Sequence, residues 1–211
     1  MGKENIKSNE LKRAVCLKAN KFEFSDVSDE DLSAIYELGI RGIKFNGEEN
    51  DVSVSELLAF TELKDLALNS FYLETSDLDI INSLDLRTLQ LGNVGFEADA
   101  RIASSETLTS LVISDAEGLE SLFVSAPEFF KVVDSEIDIS KIDLSKVKKL
   151  YLQNCTIKNL TGLTELELLD TVNLDGSIVL DTNGQKVTKI DVRDNVQMSF
   201  EEEFLKVEFD K

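Results

Sequence analysis

The chain has 211 residues, 22 of them basic and 41 acidic, for a formal charge of −19, and it contains neither histidine nor tryptophan. The charge argues against broad nucleic-acid or anionic-membrane binding. The missing histidine removes the commonest general base, the Ser-His and Cys-His nucleophile pairs and the commonest metal ligand.

Apolar residues make up 42% of the chain, with one proline and ten glycines, which is the composition of a folded chain rather than a disordered one. Residues 1–11 read as a polar N-terminal extension. They hold no apolar segment of signal-peptide length, and no apolar run anywhere could span a bilayer. A cytoplasmic protein is the favoured expectation, the alternative being a secreted or cell-surface fragment whose signal has been removed. Met1-Gly2 invites an acylation reading, but Ile6 stands where that motif needs Ser or Thr.

From residue 12 the apolar residues fall into a repeat whose cleanest copy is VKKLYLQNCTIKNLTGLTELELL at 147–169. Anchored on that copy, repeat units start at Lys12, Ile40, Leu63, Leu86, Leu108, Phe129, Val147, Leu169 and Val187, with steps of 18 to 28 residues. Each unit predicts a strand with two inward apolar residues: Val15/Leu17, Ile43/Phe45, Leu66/Leu68, Leu89/Leu91, Leu111/Ile113, Val132/Asp134, Leu150/Leu152, Val172/Leu174 and Ile190/Val192. Asp134 breaks the pattern, and a shift by one residue does not repair it. On this register Cys16 and Cys155 stand six strand spacings apart, roughly 29 Å, far outside disulfide reach.

Return segments link the predicted strands. SDEDLSAIYELG has Ser28 and Asp31 in capping-box spacing, with Gly39 placed to stop a helix. VSELLAFTEL predicts a helical turn or two from Ser55, and SDLDIINSL offers Leu78 and Ile81 to the core. The later returns are shorter, and turns mixed with 3₁₀ structure are expected there. Asn183-Gly184 between two β-rich runs predicts a hairpin. SFEEEFLKVEF then predicts a helix that closes the stack as a cap over 198–211.

The unit LYLQNCTIKNLTGLTEL at 150–166 resembles the bacterial 22-residue leucine-rich repeat, of the internalin-like or phosphatase-regulator-like kind, and weaker copies cover about 12–197. The resemblance implies an α/β leucine-rich repeat solenoid. That is a curved right-handed superhelix with a parallel sheet on the concave face and short helices and turns on the convex face. It also implies a module that binds other proteins with the concave sheet. The position that is usually Asn in that family is Asn only at Asn20 and Asn195 among nine, so the backbone groups of the turns need other partners.

No GxSxG, P-loop, CxxC or histidine metal site is present. Acidic pairs are so frequent that none stands out from a solvated surface. Asp181-Thr182-Asn183-Gly184 lacks the spacing and the distal Glu of a calcium loop. Cys16, near Arg13 and Lys18, is read as an ordinary strand residue rather than a nucleophile. No catalysis, cofactor or metal is expected.

The predicted concave face carries eleven basic and seven acidic residues, a net +4, on a chain that is otherwise acidic. Arg13, Arg41, Lys64 and Arg87 recur at one position of consecutive units, with Lys44 beside them, as a basic ladder suited to an acidic protein segment. Phe130, Val133 and Tyr151 form a neighbouring apolar anchor patch. The expected function is a monomeric protein-binding module without nucleic-acid or membrane partners. The competing expectation is an inhibitor or immunity-type protein that neutralises an enzyme through its acidic surface.

Overall fold

The computed structural model describes residues 2–42, 52–103, 105–153, 155–158, 170–174, 177–181 and 197–198. The chain opens with a 3₁₀ turn, Lys3–Asn5, and helix α1, Asn9–Ala19. This helix stands where the first strand was expected. Lys12, Val15 and Leu17 satisfy the strand pattern, yet the buried residues are Leu11 and Val15, while Leu17 is 80% exposed. Burial four residues apart is the helix period, and Leu, Lys, Arg and Ala are strong helix formers. The helix stops at Asn20 in the left-handed conformation, φ 54°, from which the Lys21 N–H reaches back to the Cys16 carbonyl at 2.9 Å. Ile6, Ser8 and Leu11, read as part of a polar extension, are buried.

Helix α2, Asp29–Ser33, begins on the expected capping box: the Asp31 N–H donates to Ser28 Oγ at 3.1 Å and the Ser28 N–H to Asp31 Oδ2 at 2.8 Å. It stops well before Gly39, which lies instead on the exposed side of strand β1, Glu37–Arg41. A 3₁₀ segment, Val54–Ala59, leads to β2, Asp65–Asn69, and the short β3, Tyr72–Leu73. Helix α3, Thr75–Ser83, buries Leu78 and Ile81 as expected. Strands β4 (Thr88–Phe96), β5 (Arg101–Ile102) and β6 (Ser110–Glu117) follow.

Beyond β6 the described returns hold 3₁₀ turns and short strands in place of α-helix. Leu119–Ser121 and β7 (Phe123–Ser125) precede β8 (Phe129–Val133). Then β9 (Glu136–Asp138), the turn Ile139–Lys141 and β10 (Ile142–Asp143) precede β11 (Lys149–Gln153). The remaining described strands are β12 (Thr156–Lys158), β13 (Asp170–Leu174), β14 (Ser177–Asp181) and β15 (Gln197–Met198).

Strands β1, β2, β4, β6, β8 and β11 pair in that order, every neighbour parallel. The register aligns Leu38, Leu66, Leu89, Leu111, Phe130 and Leu150 in one buried row, and Ile40, Leu68, Leu91, Ile113, Val132 and Leu152 in the next. The residues between these positions point to the opposite, open side, as period-two alternation requires. Two small parallel sheets, β5-β7-β10 and β9-β12-β15, run through the returns. The molecule is thus mixed α/β, with a parallel sheet of several strands, few helices and no closed barrel among the described residues.

This register corrects three expectations besides the first strand. On the second predicted strand the pair aligned with Leu66/Leu68 is Leu38/Ile40, and the expected Ile43 and Phe45 lie outside the described residues. That of the sixth is Phe130/Val132, not Val132/Asp134, a shift of two residues that takes Asp134 out of the core. Val172 and Leu174 lie on β13, which does not continue the parallel ladder: β14 pairs antiparallel with β11, and β13 antiparallel with β14. The predicted Asn183-Gly184 hairpin, the Ile190/Val192 strand and, apart from Met198, the C-terminal cap lie outside the described residues.

Asp134 marks a recurring turn position, which follows β2 and β8 and bends β4 and β6 within their length. Ser70, Asn93, Asp115 and Asp134, each one residue past an aligned strand position, have φ of 61°, 49°, 52° and 49°. Asn and Asp tolerate this left-handed region far better than branched residues. In this way these four strands turn towards the core: of the residues that follow, Phe71, Val94 and Ser135 are buried and Ala116 is half-buried. The turn backbone finds partners without an Asn ladder. Ser135 Oγ accepts from the Ala116 N–H at 3.0 Å and donates to the Val133 carbonyl at 2.8 Å, and the Cys155 thiol donates to the Val132 carbonyl at 3.4 Å.

The start of α3 is fastened to the following return. Thr75 donates its N–H and Oγ–H to Glu97 Oε2 at 2.8 and 2.6 Å, and these bonds hold the Glu97 carboxyl below its ordinary pKa. A depressed carboxylate pKa contributes stability above the ordinary carboxylate range, lost as pH falls through the folded value. Thr75→Val is therefore expected to lower the melting temperature at neutral pH, with the gap to wild type closing in acid. A gap independent of pH in thermal melts would count against the link.

Candidate interaction surface

The open side of the parallel sheet collects three outward rows. At the N-terminal ends of the strands stand Glu37, Asp65, Thr88, Ser110 and Phe129; the middle row is Gly39, Ala67, Gln90, Val112, Lys131 and Tyr151. The third row is Arg41, Asn69, Gly92, Ser114 and Val133. Small side chains in the first half leave a shallow depression of about 280 Å³ bordered by Glu37, Asp65, Arg87 and Gln90. Bulkier ones in the second half build it up again.

The basic residues expected to form one ladder do not do so. Arg13 is exposed on α1, away from the strand rows. Arg41 ends β1 on the outward side. Lys44 lies outside the described residues. Lys64 and Arg87 precede β2 and β4, and each is engaged by a carboxylate. Arg87 grips Asp65 through Nε at 3.2 Å and a terminal nitrogen at 2.6 Å. Burial pushes the Asp65 carboxyl up, but the bonds from Arg87 and Thr88, with the Arg87 charge, outweigh it and leave the pKa lowered. Lys64 is bonded to Asp85, which raises the lysine pKa and lowers that of the aspartate. Both cations are therefore already neutralised locally, which removes most of their long-range pull on an acidic segment.

The apolar residues on the open side are composed differently from the expected set. Phe130 is fully buried and belongs to the core. Its neighbour Phe129 takes the outward place, with its ring centroid 5.2 Å from that of Tyr151 at an interplanar angle of 40°. Tyr151 lies opposite Lys131 on β8, and Val112 opposite Lys131 on β6, while Val133 is two residues along β8. Val112, Phe129, Lys131, Val133 and Tyr151 are all half-buried. The sequence reading missed Phe129 because it placed that residue at a repeat anchor. The turn-forming Asp134 was the signal that would have moved it outward.

Among the described residues no three potential metal ligands come together, and no helix is long and apolar enough to cross a membrane. In comparisons with known proteins, no family model matches the chain and no curated protein matches it.

Proposed function

We propose that the chain is a leucine-rich repeat solenoid serving as a non-catalytic protein-binding module, and that its partner seats on the open face of the sheet. The observation that carries this reading is the cluster of Val112, Phe129, Lys131, Val133 and Tyr151 on that face. Two aromatic side chains held on a sheet keep apolar area available at little ordering cost, and such anchors commonly dominate interface energy. The repeat reading is supported by six parallel strands with aligned buried pairs and by left-handed residues at the same register position of four of them. The binding surface proposed here lies on β6, β8 and β11, away from the upstream basic residues.

The test is affinity capture from the native host with wild type and with a Phe129→Ala/Tyr151→Ala double variant, read by quantitative mass spectrometry. A protein retained by wild type and lost by the double variant is the expected result. Equal retention by both would exclude this face.

A further inference from the structure

We infer that the segment bound on this face carries a single carboxylate, set between apolar side chains of its own, which pairs with Lys131. This rests on the protein-binding reading of the same face. Lys131 sits at the centre of the patch, with Val112 and Tyr151 beside it on the neighbouring strands and Phe129 and Val133 before and after it on its own. Six lysine and arginine side chains among the described residues have carboxylate partners within 4.0 Å, and Lys131 is not among them. Its backbone is held in the ladders to β6 and β11, but its ammonium makes no hydrogen bond among the described residues. On β6 its nearest outward neighbours are Ser110, Val112 and Ser114, none of them charged.

Two effects select the ligand. Any segment covering Phe129 and Tyr151 also removes water from the Lys131 ammonium, and a purely apolar cover leaves that charge desolvated and unpaired, which opposes binding. A carboxylate placed over the ammonium offsets that cost. A polyacidic tract is disfavoured by the chain as a whole, whose net charge is −19. An apolar segment with one acid satisfies both conditions, whereas the acidic stretch expected from a basic ladder satisfies only the first.

The experiment selects a displayed library of random twelve-residue peptides on the immobilised full chain. Circular dichroism checks that each variant is folded. Wild type is expected to enrich peptides that share one Asp or Glu flanked by Leu, Ile, Phe or Tyr. Those peptides should weaken severalfold on Lys131→Met and at least about tenfold on Lys131→Glu. Selection on Lys131→Glu should replace the shared acid with Lys or Arg. Enriched peptides with no shared acid, or equal binding to Lys131→Met, would overturn the role of Lys131 while leaving the face intact as a binding surface. Peptides indifferent to Phe129→Ala/Tyr151→Ala would overturn both, and a library giving no peptide that prefers wild type over Lys131→Glu overturns the inference.

Discussion

Phe130→Ala is expected to destabilise the fold by about 3–5 kcal/mol, whereas Phe129→Ala, one residue away, is expected to cost no more than about 1 kcal/mol. Phe130 is completely buried in the inward row between Leu111 and Leu150, on a strand paired on both sides. Truncation there removes a phenyl ring from a close-packed interior and leaves a cavity that flanking strands, fixed by their ladders, fill only in part. Phe129 points to the open side, so its loss removes part of one ring contact, that with Tyr151. Urea unfolding of the two variants reads the difference, and for a chain of this size the larger effect lowers the melting temperature on the order of 10 °C. The opposite ranking would mean that β8 is set one residue out of register, which exchanges the faces of the two rings. The same pair of variants separates stability from binding, because only Phe129→Ala should weaken partner capture while leaving the fold intact.

That pair also shows where the sequence was legible. Leu66/Leu68, Leu89/Leu91, Leu111/Ile113 and Leu150/Leu152 are inward pairs in both the pattern and the structure, since aliphatic residues at i and i+2 in a regular repeat have one solution. Around β1 and β8 the apolar residues are dense enough to satisfy two registers. LGIRGIKF offers Ile43 and Phe45 as readily as Leu38 and Ile40, and EFFKVVD offers alternate choices on either face. What decides is the turn residue: Asp134 is costly inside the core and well suited to a left-handed turn.

At α1 the failure is one of period. Lys12, Val15 and Leu17 match a strand unit by coincidence, and the helical spacing of Leu11 and Val15 is outvoted only if the repeat is assumed to reach that far. The basic ladder failed for a different reason. It was assembled from residues on α1, β1 and two strand entrances, and sequence spacing carries no information on which acids lie across from them, such as Asp65 and Asp85.

Glu56→Ala is expected to loosen α1 and to cost about 2–3 kcal/mol. Glu56 lies in the 3₁₀ segment Val54–Ala59 and is only 7% exposed. One of its oxygens, Oε2, accepts the Lys7 N–H at 2.8 Å, the Ser8 N–H at 3.1 Å and the Ser8 Oγ–H at 3.1 Å. Ser8 makes no side-chain cap of its own on α1, so this carboxylate from 48 residues away satisfies the donors just ahead of the helix and sets a negative charge near its positive end. Removing it leaves those donors without their acceptor and frees the helix that buries Leu11 and Val15. Glu56→Gln keeps the shape and one acceptor oxygen but not the charge, so it should fall between wild type and alanine. Hydrogen exchange resolves the effect in place: amides of Lys7, Ser8 and α1 should exchange faster in Glu56→Ala while those of β8 and β11 keep their protection. Unchanged protection across α1 would show that its own packing, not the carboxylate, holds the helix against β1.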